Sequence, residues 1–162
     1  MNQRGLFISR SIGIAVLSAA FLSLMIGSWA PAEAQSNAAM TVTVRVTGAR
    51  NGKGQIRAAL FESAKGFPGD VSQAIRTQAA GIDSRALSAQ IVFTGLREGV
   101  YAVSVFHDEN MNRKLDKNFV GIPREGYGTS NNPKRKMGPP DFEEAKFQLT
   151  GAAQSLEIKL LY

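Results

Sequence analysis

Asp108, Asn110, Asn112 and Asp116 place oxygen-bearing side chains at the first, third, fifth and ninth positions of one short stretch, with Lys114 at the seventh. That spacing suits a hard cation. Calcium takes roughly six to eight oxygens at short range, and a tightly curled backbone turns alternate side chains, with the carbonyl of the seventh residue, onto one centre. Three features modify the expectation. The sixth position holds Arg113 where such loops use glycine, and left-handed backbone at a residue with a Cβ costs on the order of 1 kcal/mol. The twelfth is Phe119, so a remote Glu125, Asp141, Glu143 or Glu144 has to stand in for the bidentate glutamate. The acids Asp108, Glu109 and Asp116 are balanced by Arg113, Lys114 and Lys117. Calcium, if bound, is therefore expected in the weak, roughly 0.1–1 mM range of extracellular modules. The alternative is a loop whose Asp and Asn side chains bond to their own backbone.

The same acids offer a second chemistry. Asp108, Asp116 and Glu125, with His107, would serve an envelope hydrolase, because paired carboxylates split glycosidic bonds when a fold sets them across a cleft. No nucleophile and base share a usable spacing, since Ser104 and His107 sit an odd number of residues apart on a strand and face opposite ways. A noncatalytic binding or scaffolding module is the leading expectation. Its contact surface is expected at Tyr127, Ser130, Asn131 and Asn132, beside the basic cluster Lys134 to Lys136, because these side chains pair a flat apolar face with donors and acceptors. His107 itself is expected as a pocket or rim histidine held by a hydrogen bond.

Composition narrows the field. With no cysteine there is no disulfide framework, thiol nucleophile or thiolate metal site, and one histidine among 162 residues argues against imidazole-rich centres. Oxygen-only ligation stays open. A hydrophobic share of 44% with 20% charged residues describes an ordinary globular chain rather than a disordered one.

These residues need a frame, and the hydrophobic period along the chain is two. Val42, Val44 and Val46 alternate with Thr and Arg, and Asn51-Gly52 within residues 50–54 supplies turn chemistry before Gln55 to Phe61, which reads as a β-hairpin. Further strands are expected around Ala89-Ile91-Phe93, Tyr101-Val103-Val105, Ala145-Phe147-Leu149 and Leu156-Ile158-Leu160-Tyr162, with a weaker one between Ile75 and Ile82. The expected fold is all-β: an antiparallel β-sandwich of about seven strands, immunoglobulin-like or transthyretin-like, with one long loop at 108–143. Tyr101 follows a Gly-containing turn and is expected to bond back across a corner. A loop of that length is functional or needs something to fix it.

Upstream, Arg4 and Arg10 flank an uncharged apolar run, Ile12 to Gly27, and Ala32-Glu33-Ala34 follows. This is the layout of a cleavable signal peptide over residues 1–34, with a linker at 35–40 and the sandwich over 41–162. The competing reading is an uncleaved anchor. Either implies export, to the periplasm or beyond, with no transmembrane span once the signal is removed. The basic balance of +6 is expected to serve solubility first, the Lys and Arg being scattered; the partner stays unknown, and for an exported chain an anionic envelope component or another exported protein suits it better than nucleic acid.

The stretch Gly95-Leu96-x-x-Gly99-x-Tyr101, then His107-Asp108-Glu109-Asn110, then Gly121-Ile122-Pro123-Arg124-Glu125-Gly126-Tyr127-Gly128-x-Ser130-Asn131-Asn132, resembles the bacterial domain-of-unknown-function family DUF2141. The resemblance spans residues 41–162. It implies an exported β-sandwich without an established activity, and a loop with glycines where this chain has Met111 and Arg113. The strand around Tyr101 is also similar to transthyretin-like accessory modules. Hydrolytic members of that wider group end in a Tyr-Arg-Gly-Ser type tail, whereas this chain ends Leu160-Leu161-Tyr162.

Overall fold

The computed structural model describes residues 39–134 and 138–162, so the expected signal peptide at 1–34 and most of the expected linker at 35–40 lie outside the described residues. Strand β1 (Met40–Thr47) behaves as its alternation requires: Val42, Val44 and Val46 are buried and Arg45 is exposed. It pairs with β4 (Ala89–Leu96) antiparallel and with β8 (Ala153–Lys159) parallel, giving a sheet in the order β4-β1-β8. Gly95, at φ +71, lets β4 carry one extra residue against Met40–Val42, and that bulge returns Leu96 to the core after Phe93.

The second sheet runs β3 (Arg76–Gly81), β2 (Gln55–Phe61), β5 (Gly99–Asp108), β6 (Tyr127–Thr129), with β7 (Phe147–Leu149) pairing the start of β5. Its inner face sends Ile56, Leu60, Val103 and Val105 against Val44, Ile91, Phe93 and Ile158 of the first sheet. Its outer face is covered at one end. There Ala59, Phe61 and Ala102 lie under Phe142 and Ala145 of the one-turn helix α1 (Phe142–Ala145), and Phe67 meets Phe61 and Phe142 edge-on at 5.4 and 5.8 Å. Burial on both faces explains why Ala58 to Phe61 is a continuous apolar run. Tyr101 donates its hydroxyl to the Arg97 carbonyl at 3.0 Å, the corner bond expected of it.

The all-β sandwich holds, with eight strands among the described residues, and three local expectations change. Residues 50–54 do not close a hairpin: β1 and β2 belong to different sheets. Their apolar faces meet across the sandwich, and Gly48 (φ +80) and Gly54 (φ +68) carry the chain between layers while Asn51 Oδ1 accepts from the Lys53 N–H at 2.9 Å. Strands β1 and β8 are parallel rather than antiparallel, which no short connection forbids because almost the whole domain separates them. Ala145 ends α1 instead of starting a strand, because Glu144 reaches back to the Asp141 N–H at 2.9 Å and starts a helical turn there. The 108–143 stretch is thus not one bare loop, since β6 lies inside it as the edge strand. Among the described residues no helix is long and apolar enough to cross a membrane.

Candidate functional site

Strand β5 sends successive residues to opposite faces of its sheet, and the site is built where it ends. His107 completes the inner row and is fully buried. Its Nε2 lies 2.7 Å from the Lys53 carbonyl, which only accepts, so Nε2 carries the hydrogen and Nδ1 accepts from the Tyr162 hydroxyl at 2.8 Å. The Tyr162 oxygen accepts in turn from the Arg50 N–H at 2.9 Å. The Arg50 guanidinium stands 4.8 Å from the Tyr162 ring centre and pairs with Glu109 at 2.6 Å. Burial raises the Tyr162 pKa above its ordinary value. For Glu109 burial opposes the charge, but hydrogen bonds from Asn51 and Arg50, with the charge of Arg50, more than offset it and hold the pKa low. Far from being a rim residue, His107 is a buried staple between residue 53 and residue 162.

Asp108 takes the outer face and opens the loop. It is fully buried. Oδ2 accepts from Gln55 Nε2 at 2.9 Å and from the Arg113 N–H at 3.1 Å, while Oδ1 has no hydrogen-bond partner. Asn110 Oδ1 accepts from the Asn112 N–H, and Asn112 Oδ1 from the Lys114 N–H, at 3.0 and 2.7 Å. The two amide groups then donate to the two oxygens of Asp116, at 2.7 and 3.0 Å. Met111 and Arg113 adopt φ +59 and +66, so the chain curls despite the missing glycines. The structure brings Asp108, Asn110, Asn112, Lys114 and Asp116 into one curl, with amide hydrogens rather than oxygens facing Asp116. Among the described residues no group of three or more His, Asp or Glu side chains is gathered as a metal site.

Of the four remote acids, Glu125 reaches this curl. It is 4% exposed, and its oxygens accept from the Glu109 and Asp116 N–H groups at 2.9 and 3.0 Å, fastening both ends. Beyond Asp116 the chain forms a small hairpin: Asn118 Oδ1 accepts from Val120 and Ile122 at 3.1 and 2.9 Å, and Lys117 bridges Pro123.

The expected contact residues divide. Tyr127 stands on β6 opposite Phe106 and lines a groove. Ser130 is fully buried, its hydroxyl accepting from the Val103 N–H at 2.9 Å and donating to the Ala145 carbonyl at 2.5 Å, so it cannot be a contact surface. Asn131 donates to the Glu144 and Lys146 carbonyls, and Asn132 bonds the Glu157 carbonyl and Lys159 N–H of β8. Both asparagines tie strands and helix together at left-handed turns. Of the basic cluster, Lys134 is exposed and the rest falls outside the described residues.

The groove has a volume of about 1090 Å³ and lies over the uncovered half of the outer face of the second sheet. Two cross-strand rows make its floor: Arg57, Phe106 and Tyr127, then Thr77, Ala59, Ser104 and Thr129. One wall is residues 66–72, to which Ser104 is tied by a bond to the Pro68 carbonyl at 2.9 Å. The facing wall is the loop, contributing Arg113, Lys114, Lys117, Val120 and Ile122. The Thr129 hydroxyl is buried beneath the floor with no partner. Arg57 and Phe106 carried no local signal as site residues; a cation at an outward strand position whose cross-strand neighbour is an aromatic was the one clue.

No curated protein and no solved structure matches the chain. Residues 44–157 match the model of DUF2141, an uncharacterised protein conserved in bacteria, and the chain belongs to that family.

Proposed function

We propose that this domain is an exported, noncatalytic binding module whose ligand occupies the groove between the loop and residues 66–72. The observation that carries the reading is the lining: an aromatic floor of Phe106 and Tyr127 bordered by Arg57, Arg113, Lys114 and Lys117, which among the described residues form no ion pair and face one carboxylate, Asp70. That combination accepts an elongated ligand with an apolar side and an anionic group. The noncatalytic part is supported by how the candidate groups are placed: Glu125 holds two backbone N–H groups, Asp116 two amides, both His107 nitrogens are bonded, and Asp108, whose Oδ1 is unbonded, is fully buried. A general acid or base needs a proton-exchanging atom facing substrate. The test is titration of the purified protein with a fluorescent naphthalene sulfonate. Saturable binding at one site, lost in Arg57→Gln and absent for the uncharged naphthalene analogue, is expected. Equal binding of the uncharged analogue, or none of the sulfonate, overturns the reading.

A second reading, calcium in the curl, has one specific observation in its favour: the buried Asp108 Oδ1 lacks a partner. The left-handed sixth residue follows the backbone path of a calcium loop, while the Asn110 and Asn112 amides would have to turn their oxygens inward. Millimolar calcium should then raise the melting temperature, and Asp116→Ala should abolish the increase. An unchanged melting curve disposes of the ion and leaves closure by the amides.

A further inference from the structure

In the sequence, the loop's charges cancel. In the folded loop they are sorted. Asp108 and Glu125 are buried, both oxygens of Asp116 are covered by asparagine amides, and Glu109 is paired with Arg50. The bases go the other way: Arg113, Lys114, Lys117 and Arg124 are exposed and, among the described residues, none forms an ion pair. Between the last two lies the hairpin tip, where Phe119 is 100% exposed, Val120 61% and Ile122 60%. The tip is built to hold that shape. Asn118 accepts from Val120 and Ile122, its N–H donates to the Ile122 carbonyl at 2.8 Å, and the Gly121 N–H returns to the Asn118 carbonyl at 3.0 Å.

Three large apolar side chains held outward on a braced turn, inside a collar of four unpaired cations, match an interface that is apolar below and anionic above. We propose that this tip docks on the surface of a bilayer containing anionic phospholipid. Phe119 enters the boundary between headgroups and acyl chains with Val120 and Ile122 beside it, and the four cations lie at the phosphate level. A protein partner offering an acidic rim around an apolar pocket is the other occupant of similar chemistry. The bilayer is favoured because the collar contains no acid to give orientation, as suits a laterally uniform surface. This docking shares Arg113, Lys114, Lys117, Val120 and Ile122 with the wall of the groove but not its floor, and Phe119, which does not line the groove, is the position at which insertion is read apart from ligand binding.

The test places a reporter at the tip of the full chain: Phe119→Trp combined with Trp29→Phe, so that the only indole sits at the fully exposed position. On adding phosphatidylcholine vesicles containing phosphatidylglycerol, its emission should shift to the blue and be quenched by brominated acyl chains. High salt should reverse both. Lys114→Ala and Lys117→Ala should each lower partitioning about fivefold, and pure phosphatidylcholine should give little shift. Emission unmoved by anionic vesicles overturns the proposal, as does an equal shift on neutral vesicles. A shift that depends on protein concentration without lipid also overturns it, assigning the tip to a second copy.

Discussion

Glu125→Gln is the most informative single change, because it alters charge and donor pattern while leaving shape alone. The carboxylate is 4% exposed and holds the N–H groups of Glu109 and Asp116, one on each oxygen. A glutamine can accept from one of them. Its NH₂ then faces the other, donor against donor, and that backbone N–H loses its partner in a buried place. Losing one hydrogen bond to a charged acceptor costs about 1.5–3 kcal/mol, and the stranded donor brings the total to about 2–4 kcal/mol. For a domain of this size that lowers the melting temperature by about 10 °C. Circular dichroism melts give the global effect, and amide exchange gives the local one: the Glu109 or Asp116 N–H should exchange faster than in the parent. The neighbouring Arg124→Gln, at an exposed side chain without an ion pair, should stay within about 0.5 kcal/mol of the parent. If Glu125→Gln melts with the parent and both amides keep their protection, the fastening assigned to this carboxylate is wrong.

Three other perturbations test the frame. Tyr162→Phe removes the donor to His107 Nδ1 and the acceptor of the Arg50 N–H, and should cost about 1–3 kcal/mol in urea unfolding; no loss would mean the staple is idle. Gly128→Ala places a Cβ 2.8 Å from Ile158 Cγ2 and 2.9 Å from the Lys159 carbonyl, and crowding of that kind costs about 1–3 kcal/mol, read as a lower melting temperature. Glu109 has a folded-state pKa below its ordinary 4.5, so its stabilisation is present above that value and is lost as pH falls through the folded pKa. Urea midpoints followed into acid should therefore drop, and Glu109→Gln should flatten that part of the profile.

What could be foreseen from the residues depended on range. The alternation of Val42, Val44 and Val46 sets their faces, because period two is a property of the strand itself. Tyr101 and its corner bond span four residues and were equally legible. The pairing of β1 was not. Asn51-Gly52 suits a hairpin and an inter-sheet crossing alike, and only the contest between sheets for the apolar faces decides which forms. In the loop, the spacing of oxygens marked a curl at 108–116, but spacing does not say whether Asn110 and Asn112 turn oxygens or amides toward Asp116, nor that Glu125 holds the two ends of the curl. The groove was least legible of all. Arg57, Phe106 and Tyr127 become neighbours only by strand register, and Ser130, whose composition suggested ligand contact, is needed inside to bridge Val103 and Ala145.

The sorting of charge links loop closure to whatever the groove binds. The cations on its wall, Arg113, Lys114 and Lys117, have no ion-pair partner among the described residues, because Asp108 and Glu125 are buried and both oxygens of Asp116 are taken by asparagine amides. Opening the curl would release these acids toward water in the same loop as the cations, free to pair with them. Anion affinity should therefore depend on residues that never touch the ligand. Glu125→Gln itself removes one negative charge, which taken alone would strengthen anion binding. If it weakens naphthalene sulfonate binding instead, closure of the loop outweighs the charge and the wall exists only as a product of folding. If binding strengthens with the loop amides exposed, the wall's potential is independent of the curl and the coupling does not exist.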